Sequence, residues 1–274
     1  MIMPIKAAFR GATICALFAL GLTASMPASA TTLLQSWNGY KWSRTGPLAI
    51  KAVTNVRGAW KPYVKTAASQ WSSDKNIDYV LTAGNMAKAS VCGPSYGTLQ
   101  LCSGDYGKTG WLGYTQVWTA GSKIVMATIK LNDYYFSQPK YNTAAFRAAV
   151  VCQEMGNALG LQDSDRNYGN VNLGTCTDYT NDPTGQKGSN GTLANIAPSA
   201  TDIRNLDAIY ATLDRTQITS TKPTGVSGNA YLAAAVPEPG AWSLMLAGFG
   251  VVGAALRRRP RAARADALLA PSRI

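Results

Sequence analysis

Four polar side chains in the segment Val151–Asp163 have the types and spacing of a chemical site. On an α-helix, positions 153 and 157 are four apart, so Gln153 and Asn157 share one face, one turn from each other. Glu154 lies about 100° round the helix, beside that pair. Phe146 and Val150 continue the same face towards the N-terminus, so the face points into the protein. Gly160 permits a left-handed turn that swings Asp163 back towards residues 153 and 157. Two helix ligands, a third beyond a glycine turn and a glutamate between them form the geometry of metal-assisted peptide hydrolysis. In that chemistry the glutamate activates a metal-bound water. The chain has only two glutamates, Glu154 and Glu238, and Glu154 is the sole one in residues 31–235.

The residue types narrow that chemistry. The chain has no histidine, which excludes a Ser-His-Asp triad, a Cys-His dyad, His-ligated zinc and a histidine proton shuttle. Zinc favours imidazole, thiolate and carboxylate, and neutral amide oxygens compete poorly with water. As metal ligands, Gln153, Asn157 and Asp163 bring one formal negative charge and no nitrogen base. Such a set suits a weakly held hard cation better than tight zinc. Without a metal, Glu154 as the catalytic residue can polarise a water but has no Lewis acid beside it. The plainer reading is that Gln153 and Asn157 satisfy buried backbone groups. Asp163, Asp165, Asp178 and Asp182 could make a calcium site but lack the EF-hand pattern. A glycosidase pair of Glu154 with Asp163 or Asp178 is a further reading. Neither a G-x-G-x-x-G cofactor loop nor a Walker motif is present.

The elements that position these residues read as one α/β domain over residues 31–215. Pro47–Val53 and Tyr79–Thr82 have strand character, and Trp60, Val64, Ala68 and Trp71 recur at helical spacing within 57–72. Residues 84–110, with repeated Gly and Ser, read as loop-rich, and no strand is read within them. Gly113–Thr119 and Lys123–Leu131 form a hairpin through Ala120-Gly121-Ser122. Asn142 or Thr143 caps a helix that reaches Leu159 and stops at Gly160. Residues 161–198 read as loops, and Ser199 caps a last helix through Leu213. The seven Trp and thirteen Tyr residues are scattered, which reads as core and rim packing.

The two ends carry addresses. Lys6 and Arg10, the apolar run Ala12–Leu22 and the small residues Ala28-Ser29-Ala30 make residues 1–30 a secretory signal peptide. Residues 216–235, rich in Thr, Ser, Gly, Ala and Pro, read as a flexible linker. Then follow Pro237-Glu238-Pro239, the apolar stretch Ala241–Leu256 and Arg257-Arg258-Arg259, a sorting or transmembrane segment over 236–262 with a tail over 263–274. The apolar stretch is marginal for a bilayer span, and the arginines would hold its end in the cytoplasm. The net charge is +12, but residues 31–235 hold 18 basic and 12 acidic residues, so only +6 lies in the domain and linker. That excess is dispersed, without a basic run interleaved by aromatics, and no nucleic-acid partner is expected. Signal removal leaves Cys92, Cys102, Cys152 and Cys176, an even count that favours disulfides in an exported chain. Three pairings are open. Cys92–Cys102, closing a short Gly/Ser/Tyr loop, with Cys152–Cys176, tying a helix to a downstream loop, is the favoured one.

Two resemblances give these readings a context. The order Pro-Glu-Pro, apolar helix, basic cluster resembles the PEP-CTERM sorting signal of Gram-negative bacteria, which an exosortase-type transpeptidase recognises. The implied setting is export, transient anchoring in the inner membrane, then the cell surface or extracellular matrix. Residues 153–163 resemble the metzincin motif H-E-x-x-H-x-x-G-x-x-H/D with its histidines substituted. Glu154 and Gly160 match, and Asp163 falls on the third-ligand position. Asn172–Tyr179 (NLGTCTDY) resembles the Met-turn segment, with Thr177 where the methionine is expected and Tyr179 two residues on. Both segments are similar to secreted, disulfide-bonded, matrixin-like proteins reading C-Q-E-x-G-H-x-x-G-L-D-H, then N-L-G-T-C-M-D-Y-T-N-D-P. The likeness runs from about Trp37 to Leu213. In that group Gln153 is normal, while Asn157, Asp163 and Thr177 are departures. The resemblance implies a metzincin-like twisted mixed sheet with an active-site helix, zinc as the family's cofactor, and peptide or protein substrate paired on an edge strand within Gly113–Leu131. For this chain the expectation is an exported peptidase-fold protein with lost or weak metalloendopeptidase activity. The alternative is a non-catalytic cell-surface or matrix-binding protein.

Overall fold

The computed structural model describes residues 36–73, 75–85, 90–186, 194–216, 218 and 222–232. The expected signal peptide over 1–30, the sorting segment with Pro237-Glu238-Pro239 and the tail over 263–274 lie outside the described residues. Among the described residues no helix is long and apolar enough to cross a membrane.

The domain is α/β, built on a mixed sheet. In chain order the elements are β1 (Lys41–Trp42), β2 (Leu48–Asn55), a 3-10 turn (Gly58–Trp60), α1 (Lys61–Trp71), β3 (Ile77–Ala83), β4 (Thr98–Gly104), β5 (Trp111–Ala120), β6 (Lys123–Asn132), α2 (Asp133–Phe136), α3 (Ala144–Ala158), α4 (Ala200–Ile209) and β7 (Gly225–Leu232). The sheet order is β3-β2-β4-β6-β5-β7, with β1 pairing β6 beyond the end of β4. The β3, β2, β4 and β6 strands run parallel, and β5 runs antiparallel to both β6 and β7.

The expected hairpin forms as β5 and β6, joined at Gly121. Alternation in β5 is regular from Gly113 onwards: Gly113, Thr115, Val117 and Thr119 are buried while Tyr114, Gln116 and Trp118 are half-buried. Three readings are corrected. Residues 84–110 are not all loop, because Thr98–Gly104 forms β4 in the middle of the sheet. Leu99, Leu101 and Cys102 are fully buried. A parallel strand covered on both faces loses the alternation that marks a strand in sequence. Nor is 216–235 all linker, because Gly225–Leu232 pairs with β5 through Thr115↔Asn229 and Val117↔Ser227. The β5 strand is therefore not an edge. The last helix is also shorter than expected, closing at Ile209 with Tyr210 as its C-cap.

α3 is deeply buried over its C-terminal two thirds, with every residue from Ala149 to Ala158 inside. Thr143 caps it by accepting from the Phe146 amide. Its C-terminal carbonyls have no partner further along the helix and need donors from elsewhere. Side chains supply them: Tyr79 Oη donates to Met155 O (2.8 Å), Trp42 Nε1 to Ala158 O (2.8 Å) and Tyr210 Oη to Leu159 O (2.9 Å). Trp71 Nε1 reaches Cys152 O at 3.1 Å. These aromatics thus do more than fill space; they fix the helix along its length. Disulfides Cys92–Cys102 and Cys152–Cys176 are formed, the second joining α3 to the turn before α4.

Candidate functional site

The candidate site lies where the C-terminal half of α3 faces β5 and β7. Gly160 takes φ +96°, a conformation that glycine adopts without cost. A Cβ there would also meet Tyr40 O at 2.0 Å. The turn it allows brings Asp163 back under the helix, where Asp163 Oδ1 accepts from Gln153 Nε2 at 2.8 Å. Two further donors reach the same carboxylate: Asn229 Nδ2 to Oδ1 at 3.0 Å and Arg166 Nε to Oδ2 at 3.3 Å. Burial raises the Asp163 carboxyl above its ordinary value, and the donations from Gln153, Asn229 and Arg166 pull it back.

Gln153 and Asn157 are both fully buried on one helix face. Gln153 presents its NH2 to Asp163. Its Oε1, and both amide atoms of Asn157, have no hydrogen-bond partner among the described residues. They do not satisfy buried backbone groups, so the plainer reading of these two residues does not account for them. A buried amide left without partners costs about 1–3 kcal/mol per group.

Glu154 is fully buried and turns towards β5. The Thr115 hydroxyl lies within hydrogen-bond reach of both Glu154 Oε2 (2.5 Å) and the Glu154 carbonyl (3.0 Å). Gly113 lets the strand approach: a Cβ there would sit 2.7 Å from both Glu154 Oε1 and Val150 Cγ1. Thr115 and Asn229 are cross-strand partners. Glu154 is thus joined to β5 through Thr115, and Asp163 to β7 through the residue opposite.

The Met-turn-like segment lies beside the Asp163 loop. Ser164 N donates to Thr177 O at 2.8 Å, the Ser164 and Thr177 hydroxyls are 2.7 Å apart, and Asp165 bridges Asp178. Thr177 also reaches Asp202 Oδ1 at 3.3 Å. Tyr179 is buried. Burial pushes the Asp178 carboxyl up to about 6 despite donations from Leu173 N and Asn195.

The donor set does not fit zinc. Only Asp163 among the three expected ligands carries a group zinc prefers, and its oxygens already take three N–H donors. No group of three or more His, Cys, Asp or Glu side chains suited to a metal occurs among the described residues. Sequence reasoning missed Arg166, Thr115 and Asn229. Arg166 is three residues from Asp163 and was within reach of a local argument. No local signal ties Thr115 or Asn229 to a site on α3.

Comparison with known proteins identifies one segment. Residues 235–259 match the PEP-CTERM protein-sorting motif. The chain therefore carries a signal of exported proteins in Gram-negative bacteria, of the kind an exosortase-type enzyme recognises. No curated protein matches the chain. Among solved structures, myroilysin aligns with TM-score 0.36 and 12% identity over 64% of this chain and 84% of that one. High choriolytic enzyme 1, a hatching-enzyme zinc protease of the medaka fish Oryzias latipes, aligns with TM-score 0.35 and 13% identity over 63% and 94%. Likeness at that level says nothing of this chain's chemistry.

Proposed function

We propose that this chain is an exported metzincin-like protein whose metal-dependent endopeptidase activity is lost or feeble. Its sorting tail would anchor it transiently in the inner membrane before delivery to the cell surface or extracellular matrix. The observation that carries this reading is the state of Asp163. The one carboxylate at a ligand position is held by Gln153, Asn229 and Arg166, and its neighbours are amides. Glu154 has the position of a water-activating base, yet its carboxylate is hydrogen-bonded to Thr115 under β5. The orphaned atoms of Gln153 and Asn157 favour a second reading, a non-catalytic binding platform. Buried amide groups with unused hydrogen-bonding capacity suit a polar ligand better than a catalytic metal.

Metal analysis of the purified protein, with a peptide library as substrate, tests the first reading. The expected result is substoichiometric zinc and cleavage no faster than that of Glu154→Gln. Stoichiometric zinc with cleavage that Glu154→Gln abolishes would overturn it. The double substitution Asn157→His with Asp163→His tests the assigned positions, because two imidazoles there should confer zinc binding. A folded double variant that takes up no zinc would sink the assignment.

A further inference from the structure

β7 is an unusual strand to close a sheet. Residues 225–229 read Gly-Val-Ser-Gly-Asn, and Gly and Asn are poor strand formers with little to pack. Val226 is 55% exposed, and among residues 225–229 only Asn229 is buried. The strand is held by its backbone ladder to β5, by the hydrogen bonds of Asn229 with Asp163 and Arg166, and by the turn where Thr224 N and Oγ1 both donate to Thr119 O and Thr224 Oγ1 accepts from Gly121 N. It lies antiparallel on β5 and against α3, the pose of an extended peptide added to a sheet edge.

The strand also ends close to the sorting motif. From Leu232 to Pro237 the chain can span at most about 18 Å. An enzyme that must enclose Pro237-Glu238-Pro239 would work almost against the domain while β7 is docked. Undocking the eight residues of β7 would add roughly 27 Å of reach.

We propose that Gly225–Leu232 is a releasable internal ligand of a peptide cleft. Docked, it fills the cleft between β5 and Asp163. Drawn out when the sorting enzyme takes the tail, it opens the cleft to an extended peptide with a carboxamide or hydroxyl at the place of Asn229. The proposal rests on reading the α3–β5 cleft as the functional site, and it holds whether or not that site hydrolyses peptide.

Hydrogen exchange on the full chain in detergent tests release without any substitution. Amides of β7 should exchange at least a hundredfold faster than those of β4 and β6, through local opening. Equal protection in the three strands would overturn the proposal. Occupancy is tested on the full chain with a specific protease site inserted after Ser220 and cut after folding. A labelled synthetic peptide of sequence 225–232 should displace the cut strand and bind saturably. The same peptide with Asn→Ala at its fifth position should bind at least tenfold more weakly, because it loses the hydrogen bonds that Asn229 makes with Asp163 and Arg166. A cut strand that never exchanges refutes release and leaves the cleft reading intact. A strand that leaves without peptide binding, or equal binding by a scrambled peptide, refutes the cleft itself.

Discussion

Two buried aspartates, Asp163 and Asp202, illustrate two uses of the same side chain. Burial raises both carboxyls, and hydrogen bonds oppose the rise in both. Around Asp202 the partners are local or framework groups. Ser199 N and Oγ and Cys176 N all reach Oδ2 within 2.9 Å, and Thr177 reaches Oδ1. The network closes the capping box of α4 and fastens the disulfide-linked turn. Around Asp163 the partners come from α3, its own loop and β7, and beside them Gln153 and Asn157 keep amide atoms without partners. Each such atom costs free energy, so a network that serves only stability keeps few of them. Such atoms occur singly elsewhere too, Asp178 Oδ1 and Asn195 Oδ1 among them, but among the described residues Asn157 alone has two, and that marks the Asp163 region as a place where stability was set aside.

The largest expected effect breaks the closed network. Asp202→Ala removes the acceptor for two backbone amides, Ser199 N and Cys176 N, and with it the reciprocal half of the α4 capping box, and should cost about 2–4 kcal/mol in urea unfolding. A loss below about 1 kcal/mol would mean that the contrast is misdrawn.

A smaller effect follows from titration of the raised carboxyls. A carboxyl raised in the folded state contributes stability that is fully present below its unfolded value, about 3.9. That contribution is lost as pH rises through the folded value. Asp178, at about 6, should therefore make stability fall between about pH 4 and 6, with Asp163 and Asp202 acting in the same direction. Unfolding measured across that window should show a shallower decline in Asp178→Asn; an unchanged slope would contradict the assignment.

The smallest effect is the most diagnostic. Asn157→Leu replaces an amide without partners by an apolar side chain of similar size. Stability should change by no more than about 1 kcal/mol, and a gain is expected. A loss of several kcal/mol would show that Asn157 belongs to the structural network after all.

Much of the scaffold was legible locally. Thr143, the apolar face of 146–157 and Gly160 define α3, because a cap, a 3.6-residue period and a left-handed turn are properties of neighbours in sequence. The β5–β6 hairpin was legible for the same reason. The β4 strand was not, because burial on both faces erases alternation. The end of α4 was misplaced because Tyr210 is turned to the carbonyl of Leu159 and the amide of Trp42, a long-range arrangement that no local pattern announces.

The site divides along the same line. The sequence by itself determined that Gln153, Glu154, Asn157 and Asp163 gather at one end of one helix, and that no histidine stands among them. It also placed a sorting motif after a stretch too poor in apolar residues to look like a strand. Only the tertiary structure decided that this stretch pairs with β5, that Asn229 shares Asp163 with Gln153 and Arg166, and that Glu154 is held by Thr115. The reason is physical. Helices and turns are set by interactions over a few residues, whereas a strand with weak propensity is recruited by the unpaired backbone of a partner far away in sequence.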